Sequence, residues 1–209
     1  MAAEADPHTS VSAPEEAVSV HVGDSLSGLE VEAVRAARRL ADVGAGAGFP
    51  GLVLAIALPG TRVDLIESAR RKGAVIARLA QAAHADNARA VVARAEEWAS
   101  APAAAGGGRE AYDVVTARAV APLAVLAEYA APLLVEGGVL AAWKGRRDAS
   151  EEAAGAVAAE RLGMEAEEVL RVTPFPGAEQ RHLHVMRKVA PTPAGFPRRP
   201  GMARKRPLG

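Results

Sequence analysis

The run Asp42-Val43-Gly44-Ala45-Gly46-Ala47-Gly48-Phe49-Pro50-Gly51 constrains the fold of this chain more than any other stretch. An apolar stub over 40–43 leads into three alternating glycines, and Pro50 then opens an amphipathic segment over 52–58. That order predicts a strand, a tight turn and a helix start. Such a turn brings bare backbone N–H groups and the positive end of a helix up to a ligand, so the run marks a site for a nucleotide-like molecule.

The rest of the chain supplies the sheet that such a turn needs. Leu26, Leu29, Ala33, Ala37 and Leu40 fit a helical stripe leading into the first strand. Beyond the glycines, strands are expected over 62–66, 88–94, 112–117 and 138–144, and helices over 71–85, 123–134 and 150–162. A short turn is expected around 96–98, and a loop over 99–110, where Pro102 and three consecutive glycines fall. Alternating strands and helices imply a doubly wound, mostly parallel sheet with right-handed crossovers. Two last strands, 166–172 and 182–188, are joined by a Pro/Gly turn with no room for a helix, so an antiparallel hairpin closes the sheet. This α/β plan is that of the Rossmann-like class I S-adenosylmethionine-dependent methyltransferases.

Composition narrows the setting. Among 209 residues, 50% are hydrophobic but only 3% aromatic, so the core must be built of Ala, Val and Leu. With no cysteine there are no disulfides, thiolate metal sites or cysteine nucleophiles. No apolar stretch is long enough to span a bilayer, and the first twenty residues lack the basic start and apolar block of a signal peptide. The expectation is a cytoplasmic, monomeric protein without a membrane partner. Zero net charge hides an asymmetry: residues 1–34 carry acids and no Lys or Arg, whereas residues 180–209 carry Arg181, Arg187, Lys188, Arg198, Arg199, Arg204, Lys205 and Arg206 and no acid. We divide the chain into a disordered acidic head (1–17), one domain (18–189) and a basic, extended Pro/Gly/Arg-rich tail (190–209) that a polyanion would meet locally, with solvated terminal charge as the alternative.

Two cofactor readings compete at the glycine loop. Gly46, Gly48 and Gly51 satisfy the dinucleotide spacing, with Glu67 as the ribose-binding acid. Against it, Phe49 and Pro50 occupy the place where a pyrophosphate needs close backbone, and no second domain remains for a nicotinamide substrate. S-adenosylmethionine has no phosphate; its amino-acid end lies against the turn, and Glu67 can accept hydrogen bonds from both ribose hydroxyls.

Several further motifs carry a resemblance. Residues 42–51, Leu65-Ile66-Glu67-Ser68 with Arg71-Lys72, Arg94-Ala95-Glu96-Glu97, the run Tyr112 to Ala121 and Trp143-Lys144-Gly145 resemble the glucose-inhibited division B family. So do His21-x-x-Asp24-Ser25-Leu26 and the terminal Phe196-Pro197-Arg198-Arg199-Pro200-Gly201 with Pro207-Leu208. The likeness runs unbroken over about 18–209. Family members carry additional helical sequence before the His-x-x-Asp-Ser-Leu motif, where this chain has a short acidic head. The resemblance implies methylation of a guanine N7 in 16S ribosomal RNA, with S-adenosylmethionine as donor and the small ribosomal subunit as partner. It also implies cofactor contacts at Gly44, Phe49, Ala95, Glu96 and Arg118, to which the loop pattern adds Gly46, Gly48 and Glu67.

The residues agree with that chemistry by what they lack. Pyrimidine C5 methylation needs a cysteine nucleophile, and exocyclic-amine methylation commonly uses Asn/Asp-Pro-Pro-aromatic where this chain reads Ala117-Arg118-Ala119. Guanine N7 has a free lone pair and no proton to remove, so no catalytic base is expected. Candidate RNA contacts are Arg71, Lys72, Arg118, Lys144, Arg146, Arg147, Arg198, Arg199, Arg204, Lys205 and Arg206. His182 and His184 lack a third ligand, so no metal is expected. The rival readings are a methyltransferase of the same fold with another acceptor, a non-catalytic cofactor- and ribosome-binding module, and a dinucleotide oxidoreductase.

Overall fold

A computed structural model describes residues 18–209, so the head expected over 1–17 lies outside the described residues. Seven strands form one sheet: β1 Arg39–Val43, β2 Arg62–Glu67, β3 Ala88–Val92, β4 Tyr112–Arg118, β5 Leu134–Lys144, β6 Met164–Val172 and β7 Arg181–Lys188. Their order is β3-β2-β1-β4-β5-β7-β6. The first five run parallel, and β7 inserts antiparallel between β5 and β6. Central strands are covered on both faces, so β1, β2 and β4 are buried along nearly their whole length. The topology reverses between β1 and β4, and ligands of open α/β sheets bind at the carboxyl ends of strands beside such a switch.

The helices that cover the sheet are α1 Asp24–Leu26, α2 Glu32–Ala36, α3 Gly51–Ala57, α4 Arg70–Ala82, α5 Ala95–Ser100, α6 Leu123–Ala130, α7 Ala149–Arg161 and α8 Met202–Lys205. On one face, α5, α6 and α7 pack a cluster rich in Ala124, Ala127, Ala130, Ala158 and Ala159. Small residues let these helices approach closely; a Cβ at Gly155 would lie 2.8 Å from Leu123 Cβ. The other face buries Leu40, Leu54, Leu65 and Ile76 under the N-terminal segment, α3 and α4.

Four expectations change. The stripe over 26–40 is not one helix but α1, a 3₁₀ turn at Ser27–Glu30 and α2, with Leu40 inside β1. Gly28 packs against the Trp143 indole, which a Cβ would meet at 2.6 Å, so the chain follows that ring instead of a straight axis. The turn at 96–98 is α5, entered where the Arg94 N–H donates to Glu97. The helix expected over 123–134 stops at Ala130, because Pro132 has no N–H with which to continue the helical hydrogen bonds, and Leu134 already belongs to β5.

The fourth correction concerns the tail, which is folded rather than extended. Met202–Lys205 form α8, Ala203 and Leu208 are buried, and the Leu208 carbonyl accepts from Arg161 Nη1 at 3.0 Å. The C-terminal basic cluster is correspondingly dispersed. Arg187 pairs with Glu167. Lys188 is buried, its ammonium donating to the Ala131 carbonyl and to Thr192 Oγ1, each at 2.6 Å. Arg198 grips the buried Glu128 carboxylate with both Nε and Nη2.

Candidate functional site

At the carboxyl edge of the sheet lies a cavity of about 850 Å³, within the size range of small-molecule sites. One half is built by the glycine loop and the ends of β2 and β3: Gly44, Gly46, Phe49, Glu67, Ala95 and Glu96 all line it. The other half lies over β4, β5 and β7, where Asp24, Arg118, Lys144 and Arg181 reach the same space.

The loop works differently from the bare anion cradle expected of it. Gly44, Gly46 and Gly48 have φ of 69°, 58° and 100°, values that L side chains rarely adopt. Their N–H groups, however, are taken up inside the protein. Those of Gly44 and Ala45 donate to the Ile66 carbonyl, and those of Gly48 and Phe49 to the Ala45 carbonyl. Gly46 N–H donates to Glu67 Oε2 at 3.0 Å, and Gly51 N–H to Asp42 Oδ2 at 2.9 Å. A loop whose donors are so occupied does not favour a pyrophosphate; it offers shape. That observation weighs against the dinucleotide reading.

Two carboxylates hold the loop in place. Glu67 accepts from Gly46 and, at 2.8 Å, from the Ala69 N–H, which leaves acceptor capacity toward the cavity for hydroxyl donors. Asp42 is fully buried at the end of β1, where it accepts from Gly51 N–H and, at 2.8 Å, from Thr116 Oγ1. Burial pushes its carboxyl up to about 6, outweighing those two hydrogen bonds and the Arg118 charge, which favour the ionised form. Asp42 belonged to the glycine run in sequence but carried no assigned role.

Phe49 turns its ring into the cavity, where His21 stacks on it at 4.8 Å between centroids. Arg118 lies over the same ring at 5.5 Å, and its Nη1 donates to Asp24 Oδ2 at 2.9 Å. The His21-x-x-Asp24-Ser25-Leu26 motif thus has a structural meaning: one turn of the N-terminal segment sets His21 and Asp24 against Phe49 and Arg118. Trp143 Nε1 fixes that segment by donating to the Asp24 carbonyl at 2.8 Å. Glu96 also does more than border the ligand, since its Oε1 accepts from the Gly201 N–H at 2.8 Å and ties the tail to the cavity wall.

The expected RNA contacts divide. Lys72, Lys144 and Arg204 line the cavity with Arg118. Lys144 is paired with Glu151 at 2.5 Å, and Arg204 donates to the Val120 carbonyl at 2.8 Å. Arg71, Arg146, Arg199, Lys205 and Arg206 are exposed. Arg147 is also exposed, but its guanidinium is held by Glu152 on α7. Arg198, bound to Glu128, points inward and serves as a clasp for the tail rather than as a phosphate ligand. Arg181, which sequence reasoning counted only as tail charge, enters the cavity wall. Of the two histidines considered for a metal, His182 Nδ1–H donates to the Gly145 carbonyl at 2.8 Å. His184 Nε2 lies 3.9 Å from Glu152, and burial lowers its pKa. Among the described residues no group of three His, Asp or Glu side chains could hold a metal ion, and no helix is long and apolar enough to cross a membrane.

Comparison with known proteins agrees with this geometry. The family profile described as rRNA small subunit methyltransferase G matches residues 6–184. Ribosomal RNA small subunit methyltransferase G of Symbiobacterium thermophilum is 41% identical over 205 residues, which cover 96% of this chain and 82% of that protein. The protein of the same name from a Roseiflexus species is 46% identical over 81% of this chain and 70% of its own length. Among solved structures, a predicted O-methyltransferase from Agrobacterium tumefaciens superposes with a TM-score of 0.62 at 24% identity, covering 81% of each chain. An S-adenosylmethionine-dependent O-methyltransferase from Thermotoga maritima gives 0.59 at 16% identity, covering 88% of this chain and 69% of the other. These two share the fold.

Proposed function

The chain belongs to the GidB family of small-subunit ribosomal RNA methyltransferases, and from that premise we propose that it methylates N7 of a guanine in 16S ribosomal RNA with S-adenosylmethionine as donor. The observation that carries the reading is the two-part cavity. Its glycine-loop half suits the donor and its cation-bearing half suits a nucleotide of RNA.

The residues present fit the donor. A Cβ at Gly46 would meet only the Gly44 carbonyl, at 3.8 Å, so the turn presents a smooth cradle for an amino-acid end. Glu67 has acceptor capacity for ribose hydroxyls, and Ala95 and Glu96 border the space beyond β3 where adenine would lie. When bound, the donor supplies a methyl group on sulfonium: the N7 lone pair forms the new bond as the methyl–sulfur bond breaks, its electron pair stays on sulfur, and the positive charge passes to the base. This chain's own residues then need only position the partners and exclude water. No proton leaves N7, so the reaction asks no base of the residues around it. Phe49 and His21 wall the centre of the cavity, and Arg118 is locked between Phe49 and Asp24 where the two halves meet. Lys144, Arg181 and Arg204 offer cations to the phosphates flanking the base. The protein is read as acting in the cytoplasm as a monomer.

The test is direct. Purified protein incubated with methyl-labelled donor and unmethylated small subunits should label a single guanine at N7; label on another atom refutes the reaction, and cofactor binding without transfer favours a ribosome-binding module. Gly44→Asp should abolish cofactor binding, because a Cβ there lies 2.7 Å from Val120 Cγ2 and the residue has φ of 69°. Retained affinity would refute the placement of the cofactor.

A further inference from the structure

We infer that Asp24 reads the Watson–Crick edge of the target guanine, its Oδ1 accepting from N1–H and the N2 amine; the assignment rests on the reaction proposed above. Asp24 is only 5% exposed, yet it borders the cavity. Among the described residues, its Oδ1 is the one buried side-chain oxygen or nitrogen without a hydrogen-bond partner. Buried carboxylate oxygens are ordinarily satisfied, so an orphan at a cavity wall calls for a donor from a ligand. Arg181 Nε stands 4.0 Å from it, beyond hydrogen-bond reach, on a side chain that is 41% exposed.

The orientation of Asp24 is fixed. Its Oδ2 is held by Arg118 Nη1, and its carbonyl accepts from Trp143 Nε1 and, at 2.6 Å, from Ser27 Oγ. These contacts fix the carboxylate at the cavity wall beside Arg118, where the glycine-loop half and the cation-bearing half meet. In guanine the N7 edge adjoins the N1/N2 edge through O6. A base gripped by Asp24 at N1 and N2 therefore keeps its N7 lone pair unengaged, directed at about a right angle to that contact, while the aromatic pair of His21 and Phe49 offers a stacking surface in the same cavity.

The chemistry sets guanine apart from adenine, the other purine with a free N7. Guanine offers donors at N1 and N2, whereas adenine offers an acceptor at N1 that faces Oδ1 with like polarity. As the base becomes cationic during transfer, N1–H and the N2 amine become stronger donors. The contact to Asp24 thus tightens in the transition state and raises kcat as well as selectivity.

The experiment uses reconstituted small subunits carrying guanosine, inosine or adenosine at the target position. Inosine lacks the N2 amine, so wild-type kcat/KM should fall about tenfold on inosine and more than about 100-fold on adenosine. Asp24→Asn keeps an oxygen for Arg118 and turns its amide N–H to the base. It should lose about tenfold or more on guanosine and compress the guanosine-to-adenosine ratio by a similar factor. Melting temperature and affinity for S-adenosylhomocysteine, measured on the same variant, separate loss of the base contact from displacement of Arg118, and the guanosine-to-adenosine ratio decides the assignment. Wild-type indifference to inosine, or an unchanged ratio in Asp24→Asn, overturns the assignment and leaves Asp24 as the counter-charge of Arg118. The inosine arm needs no variant, so a misfolded Asp24→Asn does not end the test. Wild type that leaves guanosine N7 unmethylated refutes the proposed reaction itself, a result distinct from either of these.

Discussion

Asp42 shows how a single residue can serve the site and burden the fold together. Its carboxylate pins Gly51 and so shapes the entry to α3, but burial makes its charge costly. The folded-state value of about 6 lies above the ordinary aspartate value of 3.8. Between these values the native state binds more protons than the unfolded one, so this group's contribution to stability falls as pH rises from about 4 through about 6. A difference of this size corresponds to about 3 kcal/mol. Asp42→Asn keeps an oxygen for Gly51 N–H and can donate its amide to the Thr116 hydroxyl. We expect the unfolding free energy of Asp42→Asn to gain on wild type across that window; parallel denaturant-melt profiles from pH 4 to 7 would contradict this. Burial also lowers the pKa of His184 and gives an opposite slope, stability lost as pH falls through that group's range, which the comparison between the two proteins cancels.

At the scale of elements, the tail is the point where sequence and structure part most clearly. Pro, Gly and Arg spaced over 190–209 describe an arm, and nothing local contradicts that. The partners that fold it are distant: Glu128 for Arg198, Glu96 for the Gly201 N–H, and the Val120 carbonyl for Arg204. Removing Arg198 would strand the Glu128 charge in the core, so Arg198→Ala should destabilise the protein by about 3 kcal/mol, read from denaturant melts. A loss below about 1 kcal/mol would mean the clasp is not a structural pair. Gly201 and Arg204 also line the cavity, so deletion of 190–209 should weaken S-adenosylhomocysteine binding at least about tenfold as well as RNA binding. Titration calorimetry that finds cofactor affinity intact would restore the picture of an independent RNA arm. The glycine turn, by contrast, was legible because the φ-specific glycines, the proline and the strand stub all fall within the eleven consecutive residues 40–50.

Over the whole molecule, zero net charge coexists with a cavity mouth where cations gather. RNA affinity should therefore fall steeply with salt, and the slope of log K against log[salt] should shrink by about 0.7 to 0.9 for each phosphate contact removed. Arg199→Glu and Lys205→Glu are the informative changes, because both residues are exposed. Arg147→Glu, whose parent is already held by Glu152, should change the slope little. Equal effects of all three in a filter-binding series would mean that no particular face meets the RNA. The sequence by itself determined the strand–helix alternation, the closing hairpin and the position of the glycine turn, because these follow from periodicity and from backbone demands within a few residues. Only the tertiary structure decided that the loop's N–H groups are already engaged, that the tail is part of the wall, and that one oxygen of Asp24 is left unsatisfied. Each of those depends on residues far apart in the chain, 105 positions for Glu96 and Gly201 and 119 for Asp24 and Trp143, and no local pattern encodes which distant group will arrive to meet them.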